Sequence, residues 1–67
     1  LLMDSTNFAY AVLKKIQQRI ELTKDSLTGG SFKTMEEYKQ VVGELKGLQV
    51  AEREIKDQLE SKEESFD

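Results

Sequence analysis

The sequence predicts an all-α fold, namely a single antiparallel two-helix hairpin of coiled-coil-like character. Three observations support this prediction. Two long segments carry apolar residues at alternating intervals of four and three, the spacing of one helix face. A short link with two adjacent glycines separates them, and a capping motif marks the start of the second segment. With 67 residues, of which 37% are hydrophobic, the chain forms one small unit, residues 1–67.

The first helix is predicted over about residues 5–28, with Asp4 or Ser5 as its N-terminal cap. The chain has no proline that would break it. Its small and apolar residues form one stripe, which Phe8 and Val12 widen. The stripe comprises Ala9, Leu13, Ile16, Ile20, Thr23 and Leu27.

The link covers residues 29–34 and lies in the stretch LTGGSFKT. A phosphate-binding loop needs Gly-x-x-x-x-Gly-Lys-Ser/Thr after a strand, and here the glycines are adjacent and no strand precedes them. Gly-Gly followed by Ser is turn chemistry, and Gly29 or Gly30 can adopt the left-handed conformation that closes a helix. We therefore expect a helix-helix turn, with Phe32 folded back over the open end of the hairpin.

The second helix is predicted over about residues 35–62. Thr34-Met35-Glu36-Glu37 fits a capping box, in which the Thr34 hydroxyl accepts from the Glu37 amide and the Glu37 carboxylate accepts from the Thr34 amide. Glu52 is a polar interruption of the helix's seam, which comprises Tyr38, Val41, Leu45, Leu48, Ile55 and Leu59. The acidic tail, residues 63–67, is expected to fray, although Phe66 continues the seam spacing.

Composition argues against an enzyme, a bound cofactor or a small-molecule substrate. The chain has no Cys and no His, so it offers neither a thiolate nor an imidazole for metal binding or nucleophilic catalysis. Its carboxylate pairs, such as Glu36/Glu37, are expected on a solvated helix face, which does not provide the environment of an acid-base catalyst. The chain contains no apolar run of the roughly 18 residues that a membrane span needs. Protein partners are the remaining expectation.

Charge is distributed unevenly along the chain, whose net charge is −3. The first half is basic, and its cluster of Lys14, Lys15 and Arg19 could contact nucleic acid; the second half is acidic. Affinity for DNA or RNA depends on neutralising several phosphates together, so the overall acidity disfavours that function. A nucleic-acid-binding hairpin would show strongly salt-dependent binding.

Helix 2 contains two interior glycines, although each costs about 1 kcal/mol relative to alanine. Gly43, Gly47 and Ala51 recur every four residues beside Val50, away from the seam. A small-residue strip lets another backbone approach closely, which predicts a second contact face; the alternative is that glycine is merely tolerated on an exposed side. The predicted protein-interface residues are Gly43, Gly47, Val50, Ala51, Phe32 and Phe66.

Helix 2 and the turn before it contain a set of short motifs at defined spacing. Leu27, Gly30, the run Thr34–Lys39, Val42-Gly43, Gly47-Leu48 and Ile55–Leu59 match the pattern L-x-x-G, S/T-x-E-E-Y-K, V-G-x-L-x-G-L and I-x-D-x-L. In this spacing the chain is similar to the short helical proteins encoded among the head and tail structural genes of tailed bacteriophages.

The resemblance implies a virion component, found in the host cytoplasm during assembly. Such a protein would act in multiple copies, as a homo-oligomer or against a larger virion protein such as the portal or connector ring. The alternative is a small coiled-coil adaptor or inhibitor that docks as a hairpin on a cellular protein. A chain this small and without disulfides usually needs a partner to complete its core, which both hypotheses provide.

Overall fold

The computed structural model is a pair of antiparallel α-helices. It describes residues 5–64, with side chains for residues 5–61. Helix α1 spans Ser5–Gly29 and helix α2 spans Met35–Glu64, and the two pack side by side along their length. The predicted all-α hairpin is confirmed.

The hairpin is elongated, with principal extents of 51 × 24 × 15 Å. Its radius of gyration is 15.6 Å, whereas a compact domain of this length would have about 11 Å. Two helices side by side form a single layer, so each helix has only one neighbour to cover it. Most of the circumference of both helices is therefore left to solvent or to other chains.

The observed helix bounds extend slightly beyond the predicted ones. Helix α1 ends one residue later, at Gly29, and α2 continues through Glu64, so that the first two residues of the predicted frayed tail are helical. The proposed capping residue Asp4 and the remaining tail residues 65–67 lie outside the described part of the chain.

The turn closes α1 through Gly30. Its φ is +66°, the left-handed conformation that L side chains avoid, and its amide donates to the Ser26 carbonyl at 3.4 Å. Of the two candidate glycines, Gly30 is therefore the one that reverses the chain, while Gly29 remains helical.

The capping box at the start of α2 is confirmed. The Glu37 amide donates to Thr34 Oγ1 at 3.1 Å, and the Thr34 amide donates to Glu37 Oε2 at 3.3 Å. The same carboxylate oxygen also accepts from the Lys33 amide at 2.8 Å. One side chain thus satisfies two backbone donors of the turn and fixes where α2 begins.

The core between the helices is small. Its buried apolar side chains are Leu13, Ile20 and Leu59, which are 8%, 5% and 7% exposed. Thr23 is buried beside them, and its hydroxyl donates to the Arg19 carbonyl at 2.8 Å, so the buried polar atom is satisfied. The remaining seam positions of both helices are half-buried, except Tyr38.

Two aromatic residues assigned to the seam lie outside it. Phe8 is 59% exposed and Tyr38 is 44% exposed. Successive helical residues are about 100° apart, so a side chain next to the inward-facing Ala9 already points along the side of the hairpin. Phe8 therefore does not widen the seam, and Tyr38 contacts the turn instead.

The polar interruption of the seam has a specific partner. Gln17 Nε2 donates to Glu52 Oε2 at 3.1 Å across the hairpin, and Lys56 Nζ lies 3.6 Å from the same oxygen. The half-buried carboxylate is therefore paired with a donor from each helix.

Candidate protein-interaction surface

The interior glycines of α2 lie on its exposed side. A Cβ atom built on Gly43 or Gly47 would meet no atom within 4 Å, so neither glycine is required by the packing inside the hairpin. Both positions are free to receive a neighbouring chain. That they do so stays a prediction.

The other two residues that the sequence assigns to the second face of α2, Val50 and Ala51, differ in their exposure. Val50 is 55% exposed, whereas Ala51 is half-buried against the hairpin. By helical geometry, Gly47 and Ala51 lie along one side of the hairpin, while Gly43 and Val50 point almost directly away from α1. The predicted face is therefore a curved surface that covers the side and the back of α2.

Phe32 has a partner inside the chain. Its ring packs edge-on against Tyr38, with centroids 5.6 Å apart and planes at 83°. Phe32 does fold back onto the hairpin as expected, but at the end where the turn lies and not at the open end. Phe66, the other predicted aromatic contact, lies outside the described residues.

Exposed large apolar side chains occur along the hairpin, and of these Val50 alone was predicted at an interface. They are Phe8, Tyr10, Leu22, Met35, Tyr38 and Val50. Within residues 5–61 they outnumber the three apolar side chains of the core. Such residues indicate a protein-protein contact where they are contiguous, whereas residues scattered singly are normal on a protein surface.

One side of the hairpin, which we call the Arg19 flank, carries a second stripe on each helix. Arg19 Nε lies 3.3 Å from Glu44 Oε2 on this side, linking the two helices. At about 100° per residue, both stripes lie roughly 100° from the seam. The stripe of α1 comprises Phe8, Val12, Lys15, Arg19, Leu22 and Ser26, and that of α2 comprises Gln40, Glu44, Gly47, Ala51, Glu54 and Gln58.

No apolar pattern in the sequence marks this flank. Its positions are those of the seam displaced by one residue on each helix, and on α2 they hold no large apolar side chain. The flank is recognised from its charges and from the Arg19–Glu44 contact once the two helices are in place. Open grooves follow the flank at both ends, one beside Leu22 and Ser26 and the other beside Gln58 and Ser61.

The basic cluster of α1 is divided between two faces. Lys15 and Arg19 lie on the Arg19 flank, where the exposed Arg19 guanidinium pairs with Glu44, whereas Lys14 diverges from Lys15 by about 100° because the two are consecutive on a helix. One face therefore presents two of the three basic side chains to a phosphate backbone.

Two of the carboxylates considered for acid-base chemistry have structural partners. Glu37 caps α2, and Glu52 pairs with Gln17 and Lys56. Within residues 5–61 no three carboxylates gather closely enough to hold a metal ion. Neither helix has a stretch in its described part that is long and apolar enough to cross a membrane.

No protein-family model, curated protein or solved structure matches this chain. The function of the chain is therefore inferred from the geometry of the hairpin and from the pattern in its sequence.

Replacing Gly47 with leucine is expected to weaken association of the chain by about tenfold while helicity is kept or raised. Leucine is the better helix former, but its side chain would fill the space left for a neighbour, and overpacking typically costs about 1–3 kcal/mol. Light scattering and circular dichroism measure the two effects. Gln49→Leu, which adds an apolar side chain on the opposite side of α2, is the control. Equal association of both variants with the wild type would remove the second contact face.

Proposed function

We propose that this chain is a non-enzymatic structural protein of a tailed-phage particle. It is present in multiple copies and packs as a helical hairpin against other protein, such as the portal or connector ring. Its place of action is the virion, and the host cytoplasm during assembly.

The observation that carries the proposal is the imbalance between core and surface. Within residues 5–61, three apolar side chains are buried between the helices, while six large apolar side chains are exposed. A single core in a domain of this size supplies at most about 3–5 kcal/mol. Contacts with another chain would add the burial that the hairpin lacks, which is how a small assembly component works.

The phage setting is supported by the sequence pattern of α2. The turn glycine Gly30 and the capping residues Thr34 and Glu37, which are part of that pattern, have defined structural roles in this fold. Gly43 and Gly47, which are also part of it, have no packing role inside the hairpin. An intermolecular contact gives a physical reason for glycine at both positions.

Purified particles of the phage whose genome carries the gene provide the test. We expect quantitative mass spectrometry to find several copies of the chain per particle, retained through a density gradient. Leu13→Asp, which places a charge in the hairpin core, should abolish incorporation, whereas Lys14→Asp at the exposed neighbouring position should not. Absence of the wild-type chain from particles, with recovery on a host protein, would favour the adaptor or inhibitor hypothesis instead.

A further inference from the structure

The Arg19 flank has the geometry of a four-helix bundle from which two helices are missing. In such a bundle every helix contacts two neighbours, so it has two contact stripes about a quarter-turn apart. Here each helix has its seam and, roughly 100° away on the same side of the hairpin, a second stripe of the same spacing. The seam is occupied by the other helix of the chain, and the flank is not occupied within the described residues.

Charge on the flank is separated by helix. The stripe of α1 contains Lys15 and Arg19 and no acidic residue, and the stripe of α2 contains Glu44 and Glu54 and no basic residue. Arg19 and Glu44 already pair within the chain, whereas Lys15 and Glu54 form no ion pair with the described side chains. The flank is therefore complementary to a second copy of itself when α1 of one copy faces α2 of the other.

We propose that two copies of this chain pair through their Arg19 flanks, each α1 lying antiparallel on α2 of the other copy. This inference rests on the proposed function, in which the chain is present in multiple copies, and it specifies one contact between those copies. The two-fold axis of the pair runs parallel to the helices, between the two flanks. Rotation about this axis places α1 of one copy opposite α2 of the other and leaves every residue at the same height along the hairpin.

The level of each residue follows from contacts inside the chain. Arg19 bonds to Glu44, whereas Gln17 bonds to Glu52, which lies six residues farther along α2 than the Arg19–Glu44 spacing would place it. Long side chains of the two antiparallel helices therefore meet at more than one offset, because side chains lean toward the N-terminus of their own helix. Lys15 and Glu54 are offset in the same way as Gln17 and Glu52. In the dimer, Lys15 of one copy faces Glu54 of the second copy. Leu22, which is 62% exposed, lies within about one helical turn of Gly47 of the second copy, where there is room for a side chain.

The other two-fold arrangement brings like charges together. An axis across the helices would place α1 on α1, with Lys15 and Arg19 of both copies on one side and Glu44 and Glu54 of both copies on the other. Charges of the same sign that face each other oppose association. Charge therefore selects the arrangement in which α1 packs on α2.

The exposed area is sufficient for such a contact. The chain exposes 5614 Å², whereas a folded monomer of 7.7 kDa exposes about 4,300 Å². The difference, about 1,300 Å², exceeds the roughly 800 Å² that each partner contributes to a standard interface. A second copy on the flank would bring the surface of the chain toward that of an ordinary folded domain.

The test is a charge exchange between copies, followed by sedimentation velocity at low salt. Lys15→Glu alone and Glu54→Lys alone are each expected to raise the dimer dissociation constant about tenfold, because each variant creates two like-charged contacts per dimer. An equimolar mixture should recover the wild-type constant within about threefold, since both contacts of the mixed dimer again join opposite charges. Circular dichroism verifies that each variant is helical.

Lys14→Glu and Glu60→Lys are the matched controls. They change the net charge by the same amounts but lie on sides of the helices that face away from the flank. Neither should change the dissociation constant by more than about twofold, and their mixture should show no recovery. A control pair that behaves like the test pair would overturn the arrangement.

Failure of this inference can be told from failure of the proposed function. A wild-type chain that remains monomeric, or a dimer that Lys15→Glu and Glu54→Lys leave unchanged, overturns the pairing while incorporation into particles still supports the proposed function. Recovery in the mixture together with absence from particles supports the pairing and removes the phage role.

Discussion

Replacing Ile20 with alanine is expected to remove most of the helicity of the isolated chain. Ile20 is the most buried apolar side chain, at 5% exposure, and it lies near the middle of α1. Truncating a buried isoleucine to alanine costs about 2–5 kcal/mol, and a core of this size supplies only about 3–5 kcal/mol. The two quantities are comparable, so the hairpin would lose its margin of stability. Urea denaturation followed by circular dichroism measures the change.

Met35→Ala is the matched control for this prediction. Met35 is a large apolar residue of the other helix, but it is 65% exposed and contributes little to the core. Its truncation should change the free energy of unfolding by less than about 0.5 kcal/mol. A loss of stability for Met35→Ala as large as for Ile20→Ala would mean that the chain folds around a core different from the Leu13/Ile20/Leu59 set described above.

Valine at position 30 is expected to destabilise the hairpin by about 1–3 kcal/mol, because a β-branched residue is strained where φ is positive. Gly30 has φ +66°, and its amide closes the end of α1. The adjacent glycine responds in the opposite direction: Gly29 is helical and a Cβ there meets nothing within 4 Å, so Gly29→Ala should stabilise by up to about 1 kcal/mol.

Thermal unfolding of the two variants at one protein concentration provides the comparison. Holding the concentration constant matters because association would shift the midpoint by mass action. Gly30→Ala adds an intermediate case, with a smaller loss than valine because alanine lacks the second branch. Equal responses at positions 29 and 30 would show that the chain does not reverse at Gly30.

The sequence predicted the fold because the features that determine it are local. The alternation of four and three identified both helices, and the capping box identified the start of α2 to the residue. The two adjacent glycines predicted a turn but did not distinguish Gly29 from Gly30. Either can adopt a positive φ, and the choice depends on which carbonyl of the last helical turn accepts the closing hydrogen bond, here that of Ser26.

Side-chain burial was less predictable, because it depends on which residues of one helix lie beside which residues of the other. Phe8 and Tyr38 fit the seam by spacing, yet they lie at its edges, where two single helices cannot enclose a large ring. The pairing of Gln17 with Glu52 required the relative position of the helices, which a single sequence does not contain. The Arg19 flank has no regular apolar pattern, so its charges identify it only once the fold is known.

The Gln17–Glu52 hydrogen bond has a consequence for register. An antiparallel pair of helices with a seven-residue repeat can slide by one repeat and still match apolar residues. Apolar contacts alone therefore discriminate poorly among the possible positions of one helix along the other. Sliding this hairpin by seven residues would bring Tyr10 or Lys24 to the place of Gln17 beside Glu52. The half-buried Gln17–Glu52 pair therefore favours the observed offset over the one that brings Tyr10 there. The Gln17–Glu52 and Arg19–Glu44 contacts together align the basic edge of α1 with the acidic edge of α2, so the hairpin presents its two charged edges to any partner in one alignment.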